Sequence, residues 1–145
     1  MKNKVKKAIF PGTFEIFHEG HISILKKAIK IFDYIVVVVS NNEHKISSPL
    51  ISRFQNAKKI IDELNIENVE VIMNDGLTTD IAIKLNIYYI IRGIRNGFDL
   101  SYEENLFLSY KNLSNKIEMV LFVSSPDLDN ISSSKIIKSK VFKNE

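Results

Sequence analysis

The sequence contains no cysteine and no tryptophan, and only three prolines and five glycines interrupt its 145 residues. Without cysteine, a disulfide framework and a thiolate metal site are excluded. No apolar run approaches the roughly 18 residues of a membrane span. Behind the basic start, the apolar run Ala8–Phe10 ends at Pro11 and is too short for the core of a signal peptide. We therefore expect a cytoplasmic protein with no membrane attachment and no metal site built by protein ligands.

The composition is that of an ordinary folded domain. Hydrophobic residues make up 45% and charged residues 26% of the chain, which predicts one compact domain over residues 1–145. The formal net charge is +3. Since the lysines are scattered over predicted helix faces and the termini, and do not form a stripe, nucleic acid is not expected as a partner.

Short β-branched runs alternate with amphipathic segments along the whole chain. The run Val36–Val39 is apolar at every position, which is typical of a central parallel strand covered on both faces. The alternation predicts an α/β fold, a Rossmann-like doubly wound sheet of five parallel strands with helices on both faces. Ligands should then bind beyond the carboxyl ends of the strands, where the strand order reverses. The predicted strands are Val5–Phe10, Tyr34–Ser40, Val69–Met73, Ile87–Ile91 and Glu118–Val123.

Helical periodicity predicts five helices between and after these strands. Ser101 and Glu104 have the spacing of a capping box and predict the start of the fourth helix. The apolar positions that define the helices are Ile22, Leu25, Ile29 and Phe32; Phe54, Ala57, Ile61 and Leu64; a weaker set within Thr79–Leu85; Leu106, Tyr110 and Leu113; and Ile136, Ile137 and Val141.

The segment between the first strand and the first helix carries the strongest chemical signal. Gly12 and Gly20 allow a ligand to approach the backbone closely, and Thr13 supplies a hydroxyl and an amide. His18 and His21 stand at the N-terminal end of a helix, where free N–H groups and the helix dipole favour a phosphate. Imidazoles placed there can donate hydrogen bonds to charge that develops on a phosphoryl group.

Two further segments predict anion binding. Arg92 and Arg95 flank Gly93 at the end of the fourth strand, and arginine forks match phosphate oxygens. Glu103 follows, as a carboxylate that could accept from an adenine amine or cap the fourth helix. In Ser132–Ser134, three hydroxyls open the last helix, where an ordinary cap needs only one.

These motifs together resemble a known family. Gly-Thr-Phe followed by His-x-Gly-His resembles the nucleotidylyltransferase superfamily. With Ile-Arg-Gly-Ile-Arg from residue 91, Asp-x-x-Tyr-Glu from residue 99 and Ile-Ser-Ser-Ser from residue 131, the chain resembles the phosphopantetheine adenylyltransferases over nearly its whole length. That resemblance implies transfer of the adenylyl group of ATP to 4′-phosphopantetheine, which yields dephospho-coenzyme A and pyrophosphate.

The resemblance also implies roles for single residues. His21, with His18 in support, would stabilise the transferring phosphoryl group. The acceptor would contact Thr13, Lys45, Thr78 and Arg92. ATP would contact Thr13, Phe14, His21, Gly93, Ile94, Arg95, Glu103, Leu128, Asp129, Asn130, Ile131, Ser132, Ser133 and Ser134. Mg²⁺ would shield the triphosphate, and the chains would assemble as a homohexamer, a dimer of trimers.

The sequence also departs from the family pattern. Glu15 and Ile16 stand where the family commonly has Asp-Pro, Tyr110 where Asn is often seen, and Asn130 where an aromatic residue is usual, while the loop 41–52 is one residue shorter. Three alternatives stay open at this point. They are a related transferase whose acceptor is nicotinamide mononucleotide or glycerol phosphate, a nucleotide-binding regulatory module without catalysis, and an RNA-binding module.

Overall fold

A computed structural model describes residues 4–41 and 47–124 of the chain. Its five strands are β1 (Lys7–Gly12), β2 (Tyr34–Ser40), β3 (Val69–Asn74), β4 (Tyr89–Ile94) and β5 (Glu118–Val123). They form one parallel sheet in the order β3-β2-β1-β4-β5. The strand order therefore reverses between β1 and β4, and the predicted Rossmann-like α/β fold is confirmed.

Four helices connect the strands within the described residues: α1 (Glu19–Ala28), α2 (Leu50–Glu63), α3 (Thr78–Leu85) and α4 (Gly97–Leu113). The predicted start of α4 at Ser101 is wrong. The helix begins one turn earlier because the Asn96 side chain accepts from the Asp99 N–H at 3.0 Å and caps it there. The prediction for α1 also runs too far, since Phe32 is buried beyond the helix end. The predicted last helix, with Ile136 to Val141, lies outside the described residues.

The helices cover both faces of the sheet. On one face α1 and α2 pack on Phe10, Val37 and Ile91; on the other, α3 and α4 pack on Val36 and Ile90. Because β2 is central and covered on both sides, its four valines are at most 3% exposed. No helix within the described ranges is long and apolar enough to cross a membrane.

Three strands extend further toward their carboxyl ends than the sequence predicts: β3 by the single residue Asn74, and β1 and β4 by more. β1 continues through Gly12, which pairs with Val39, and β4 continues through Ile94, which pairs with Val123. The local pattern predicts that β1 ends before Pro11 and β4 before Gly93, but pairing with neighbouring strands continues both. Arg92 and Gly93 therefore belong to the sheet itself, whereas Arg95 alone follows the strand.

Candidate active site

A cleft of about 430 Å³ opens at the carboxyl ends of β1 and β4, where the strand order reverses. Its volume lies within the usual range for small-molecule sites. Neighbouring strand ends and the first two turns of α1 and α4 supply its walls. The lining residues are Phe10, Pro11, Gly12, Thr13, Phe14, His18, Gly20, His21, Ile24, Arg92, Gly93, Arg95, Asp99, Tyr102, Glu103 and Ser124.

Most of the predicted site residues that the structure describes meet in this cleft. The exceptions are Ile94, which ends β4, and Thr78, which begins α3; neither lines the cleft. Lys45 and the segment Leu128 to Ser134 lie outside the described residues. Those brought together are Thr13, Phe14, His18, His21, Arg92, Gly93, Arg95 and Glu103.

The two histidines form the N-terminal cap of α1. The Gly20 N–H donates to His18 Nδ1 at 3.0 Å, and the His18 N–H donates to His21 Nδ1 at 3.1 Å. The rings stack with centroids 3.9 Å apart. Because both Nδ1 atoms accept hydrogen bonds, this pattern assigns the proton of each neutral ring to Nε2. No described residue is hydrogen-bonded to either Nε2, so each Nε2–H can donate to a ligand in the cleft.

His21 is held in its neutral form. The pKa of His21 is lowered from 6.5 to about 4, mainly by burial and further by the cationic form of His18 and the guanidinium groups of Arg92 and Arg95. Its ring contacts the rings of Phe14 and Phe17 at centroid distances of 5.0 and 5.2 Å. At neutral pH the side chain is thus a hydrogen-bond donor without a net charge.

The backbone before α1 is tightly shaped. Phe14 has a positive φ of 44°, which is rare for a residue with a side chain and persists only where the surroundings enforce it. Its ring fills the space beside Gly12, where a Cβ would stand 2.8 Å from Phe14 Cζ. The sequence predicts that Gly12 and Gly20 let a ligand approach the backbone closely; both line the cleft, and a Cβ at either position would also meet the ring of Phe14 or His18.

Arg92 is tied down by a carboxylate and a carbonyl. Its Nε and Nη2 donate to the two oxygens of Glu103 at 2.8 and 3.0 Å, and its Nη1 donates to Pro11 O at 2.9 Å. Glu103 is only 3% exposed. Burial opposes the charge of Arg92, but the hydrogen bond and charge of Glu103 outweigh it and raise the pKa of Arg92.

This pair decides one of the alternatives left open for Glu103. A cap for α4 is the wrong interpretation, because Asn96 caps the helix and Glu103 lies in its second turn. Both carboxylate oxygens are already occupied by Arg92. A contact with adenine would have to share those oxygens.

Arg95 is by contrast exposed and adjustable. Its side chain is 76% exposed and pairs with Asp99 through Nε at 3.3 Å, while its backbone N–H donates to the same carboxylate oxygen at 2.8 Å. A guanidinium on the cleft rim with one weak partner can turn toward a bound anion.

Tyr110 and Thr78 form a second polar contact behind the cleft. Tyr110, where the family often has Asn, is 9% exposed, and its hydroxyl lies close to the side chain of Thr78. Burial raises the pKa of Tyr110. The contact links α3 to α4 on the side of Arg92 and Glu103, and so places Thr78 near this pair although it does not line the cleft.

Sequence reasoning assigned no site role to several residues around the site, among them Tyr102, Ser124 and Arg53. Tyr102 and Ser124 line the cleft. Arg53, in the first turn of α2, is 2% exposed beneath the loop that precedes α1. The sequence pattern could have revealed Arg53, because Arg53 lies on the same buried face of α2 as Ala57 and Ile61. A charge in the apolar register of a helix requires partners.

The described residues contain no group of three or more His, Asp or Glu side chains that could hold a metal ion. The two carboxylates that line the cleft are both engaged, Glu103 with Arg92 and Asp99 with Arg95. A cation there would have to be held mainly by a ligand's own phosphates and by water.

Comparisons with known proteins agree with this geometry. Residues 9–139 match the model of the cytidylyltransferase-like family. The chain is 47% identical to the phosphopantetheine adenylyltransferase of Malacoplasma penetrans over 145 residues, 100% of this chain and 97% of that protein. It is 44% identical to the phosphopantetheine adenylyltransferase of Mycoplasma capricolum subsp. capricolum, covering 96% of this chain and 99% of that protein.

Among solved structures, the pantoate-beta-alanine ligase of Francisella tularensis superposes with a TM-score of 0.60, covering 99% of this chain and 72% of that one. At 14% identity this likeness supports the fold alone. The full-length sequence relatives decide the family: the chain belongs to the phosphopantetheine adenylyltransferases, within the cytidylyltransferase-like nucleotidyltransferases.

Proposed function

We propose that this protein transfers the adenylyl group of ATP to 4′-phosphopantetheine and releases pyrophosphate and dephospho-coenzyme A. The observation that carries the proposal is the convergence of His18, His21, Arg92 and Arg95 on one cleft at the switch point of the sheet. Relatives of 44–47% identity over nearly their full length carry the name of this activity.

The chemistry requires no nucleophile from the protein. A phosphate oxygen of the acceptor attacks the α-phosphorus of ATP, a new P–O bond forms, and the bond to the β-phosphate bridging oxygen breaks to release pyrophosphate. Catalysis then consists of positioning and of stabilising charge. The Nε2–H of neutral His21 donates to the phosphoryl oxygens as negative charge develops, and His18 fixes the ring of His21 through the capping box.

The two arginines bind different phosphates. Arg92, whose position is fixed by its hydrogen bonds to Glu103 and Pro11 O, binds the phosphate of the acceptor together with Lys45. Arg95, exposed at the rim, binds the outer phosphates of ATP with Ser132–Ser134. The roles of Lys45 and the serines rest on the family resemblance.

Mg²⁺ is proposed as the partner of the triphosphate, whose charge it shields. Both cleft carboxylates are already paired with arginines, which supports a cation that binds together with the nucleotide.

We further propose a cytoplasmic homohexamer, a dimer of trimers. The family resemblance supports it, as do large apolar side chains exposed on α3 and α4, among them Ile83, Phe98 and Leu108. Light scattering after gel filtration measures the assembly.

A panel of acceptors tests the reaction. The protein is incubated with Mg²⁺-ATP and 4′-phosphopantetheine, nicotinamide mononucleotide or glycerol phosphate, and pyrophosphate release is measured. The expected result is a kcat/KM for 4′-phosphopantetheine at least about a hundredfold above the other two, since a site that pairs with a substrate's polar groups rejects analogues lacking them. A preference for another acceptor identifies a sister transferase, and ATP binding without pyrophosphate release identifies a regulatory module.

A further inference from the structure

Arg53 is a buried cation that does not itself line the cleft. Its guanidinium donates through Nε to Ser48 O at 2.9 Å and through Nη1 to Thr13 O at 2.7 Å and Ser40 O at 2.6 Å. Nη2 donates to the Asn41 side chain. Four of the five N–H donors of an arginine are thus accounted for. One side chain thereby joins the loop before α1, the end of β2 and the start of α2.

The bond to Thr13 O controls the orientation of one peptide group. The described residues contain no cis peptide bond, and in a trans peptide the carbonyl and the following N–H point in opposite directions. Because Arg53 holds Thr13 O, the N–H of Phe14 points away from Arg53. No hydrogen bond within residues 4–41 and 47–124 uses that N–H, and Phe14 lines the cleft. The Phe14 N–H is therefore a donor without a hydrogen-bond partner among the described residues, in a residue that lines the cleft.

This peptide is also the one that requires support. Phe14 adopts a positive φ of 44° directly after the bond to Arg53, a conformation that a residue with a side chain holds only under constraint. A second anchor lies beside it, since Glu15 accepts from the Ser48 N–H at 3.1 Å and stands 3.9 Å from Arg53 Nε. The residue that departs from the family's usual Asp thus belongs to the same set of contacts.

We propose that Arg53 is a positioning residue for adenylyl transfer: it fixes the Thr13–Phe14 peptide so that the Phe14 N–H donates to a phosphate oxygen of the nucleotide. The inference rests on the proposed function, because it places a triphosphate in the cleft. An apolar side chain would fill the same position in α2, as Ala57 and Ile61 do one and two repeats later, but it would leave the Thr13 carbonyl without its donor.

The first test compares R53K with K58R, which exchanges the same two residue types at a half-exposed position of α2. A lysine carries its three donors on one nitrogen and cannot replace both Nε, which bonds Ser48 O, and Nη1, which bonds Thr13 O and Ser40 O. We expect kcat of R53K to fall by about ten- to a hundredfold, the loss typical of a displacement near 1 Å, with ATP affinity changed less than about threefold. K58R should retain the wild-type kcat. A kcat per folded molecule within about twofold of wild type for R53K would overturn the proposal.

The second test observes the peptide itself and does not depend on turnover. Thr13–Phe14 is the only Thr-Phe pair in the sequence, so ¹³C′-threonine and ¹⁵N-phenylalanine labelling gives a single coupled amide signal. In wild type this signal should move on addition of Mg²⁺-ATP; in R53K it should be displaced beforehand and lose its response. A wild-type signal that stays in place at saturating ATP, or an R53K signal that behaves like wild type, contradicts the proposal.

If R53K does not fold, N41A replaces it, because it removes one acceptor of Arg53 and leaves the loop before α1 intact. The Thr13–Phe14 signal should then shift relative to K58R, and an unchanged signal contradicts the proposal. Absence of transfer to 4′-phosphopantetheine by the wild-type protein would refute the proposed function alone, since the labelled peptide reports on ATP without an acceptor.

Discussion

Replacing Glu103 by Gln removes the carboxylate that faces Arg92 and leaves a side chain of nearly the same size. In the wild-type protein the two groups share hydrogen bonds of 2.8 and 3.0 Å, and the Glu103 side chain is 4% exposed. Gln can still accept one bond, but its amide NH₂ then faces the second guanidinium nitrogen. The substitution therefore removes one charge-assisted bond and leaves a largely buried cation without its counter-charge.

The size of the effect follows from this geometry. Breaking a buried ion pair typically costs about 3–5 kcal/mol. Since the Arg92 side chain is 21% exposed and keeps its bond to Pro11 O, water and the carbonyl relieve part of that loss, and we expect about 3 kcal/mol. For a chain of 145 residues this corresponds to a decrease in Tm of about 6–12 °C.

Equilibrium denaturation and thermal melting of E103Q measure this change at pH 7. E104Q is the matched control, because it is the same substitution on the adjacent, exposed residue of α4, where changes stay within about 0.5 kcal/mol. We also expect KM for the acceptor to rise in E103Q, because Arg92 loses its fixed position. If E103Q and E104Q unfold with the same free energy, the pair does not hold Arg92 and this reasoning is refuted.

Three further predictions concern His21 and Gly93. H21A should lower kcat by about 10²–10³ and weaken ATP binding much less, measured by pyrophosphate release and calorimetry; unchanged turnover removes His21 from the chemistry. The pKa of His21 is about 4 in the folded protein against 6.5 as its ordinary value, so the unfolded chain binds a proton that the folded chain does not. The free energy of unfolding should therefore fall by about 1–2 kcal/mol, after allowance for solvent screening, as the pH drops through this interval; H21Q should lose this part of the pH dependence in denaturation curves. G93A places a Cβ 2.8 Å from Ile24 Cγ1 and should lower the free energy of unfolding by about 1–3 kcal/mol. G97A is the control, because a Cβ at Gly97 meets nothing within 4 Å. Equal melting temperatures for G93A and G97A would contradict the packing argument.

Local patterns predicted much of the fold correctly. The apolar run of β2 identified a strand covered on both faces, and the observed strand has the predicted bounds Tyr34–Ser40. The interval between the first strand and the histidines placed them at a helix start, where they form the cap of α1. These features depend on neighbours in sequence, so periodicity and capping chemistry reveal them.

Boundaries were less predictable because distant partners decide them. β4 continues through Arg92 and Gly93 since β5 pairs with it there, although a glycine between arginines predicts a loop. The start of α4 depends on which polar side chain caps a free backbone N–H, and in the structure that residue is Asn96 and not Ser101. Local composition permits both starts.

The sequence by itself determined the order of elements, the loop chemistry around His18 and His21, and the family to which they belong. Only the tertiary structure decided how the charges are paired. Arg92 meets a carbonyl 81 residues away and Arg53 one 40 residues away, and such partners become neighbours only when the sheet brings β1, β2 and β4 side by side. Periodicity records what each residue faces within its own element, whereas a buried guanidinium takes its partners from the elements that fold against it.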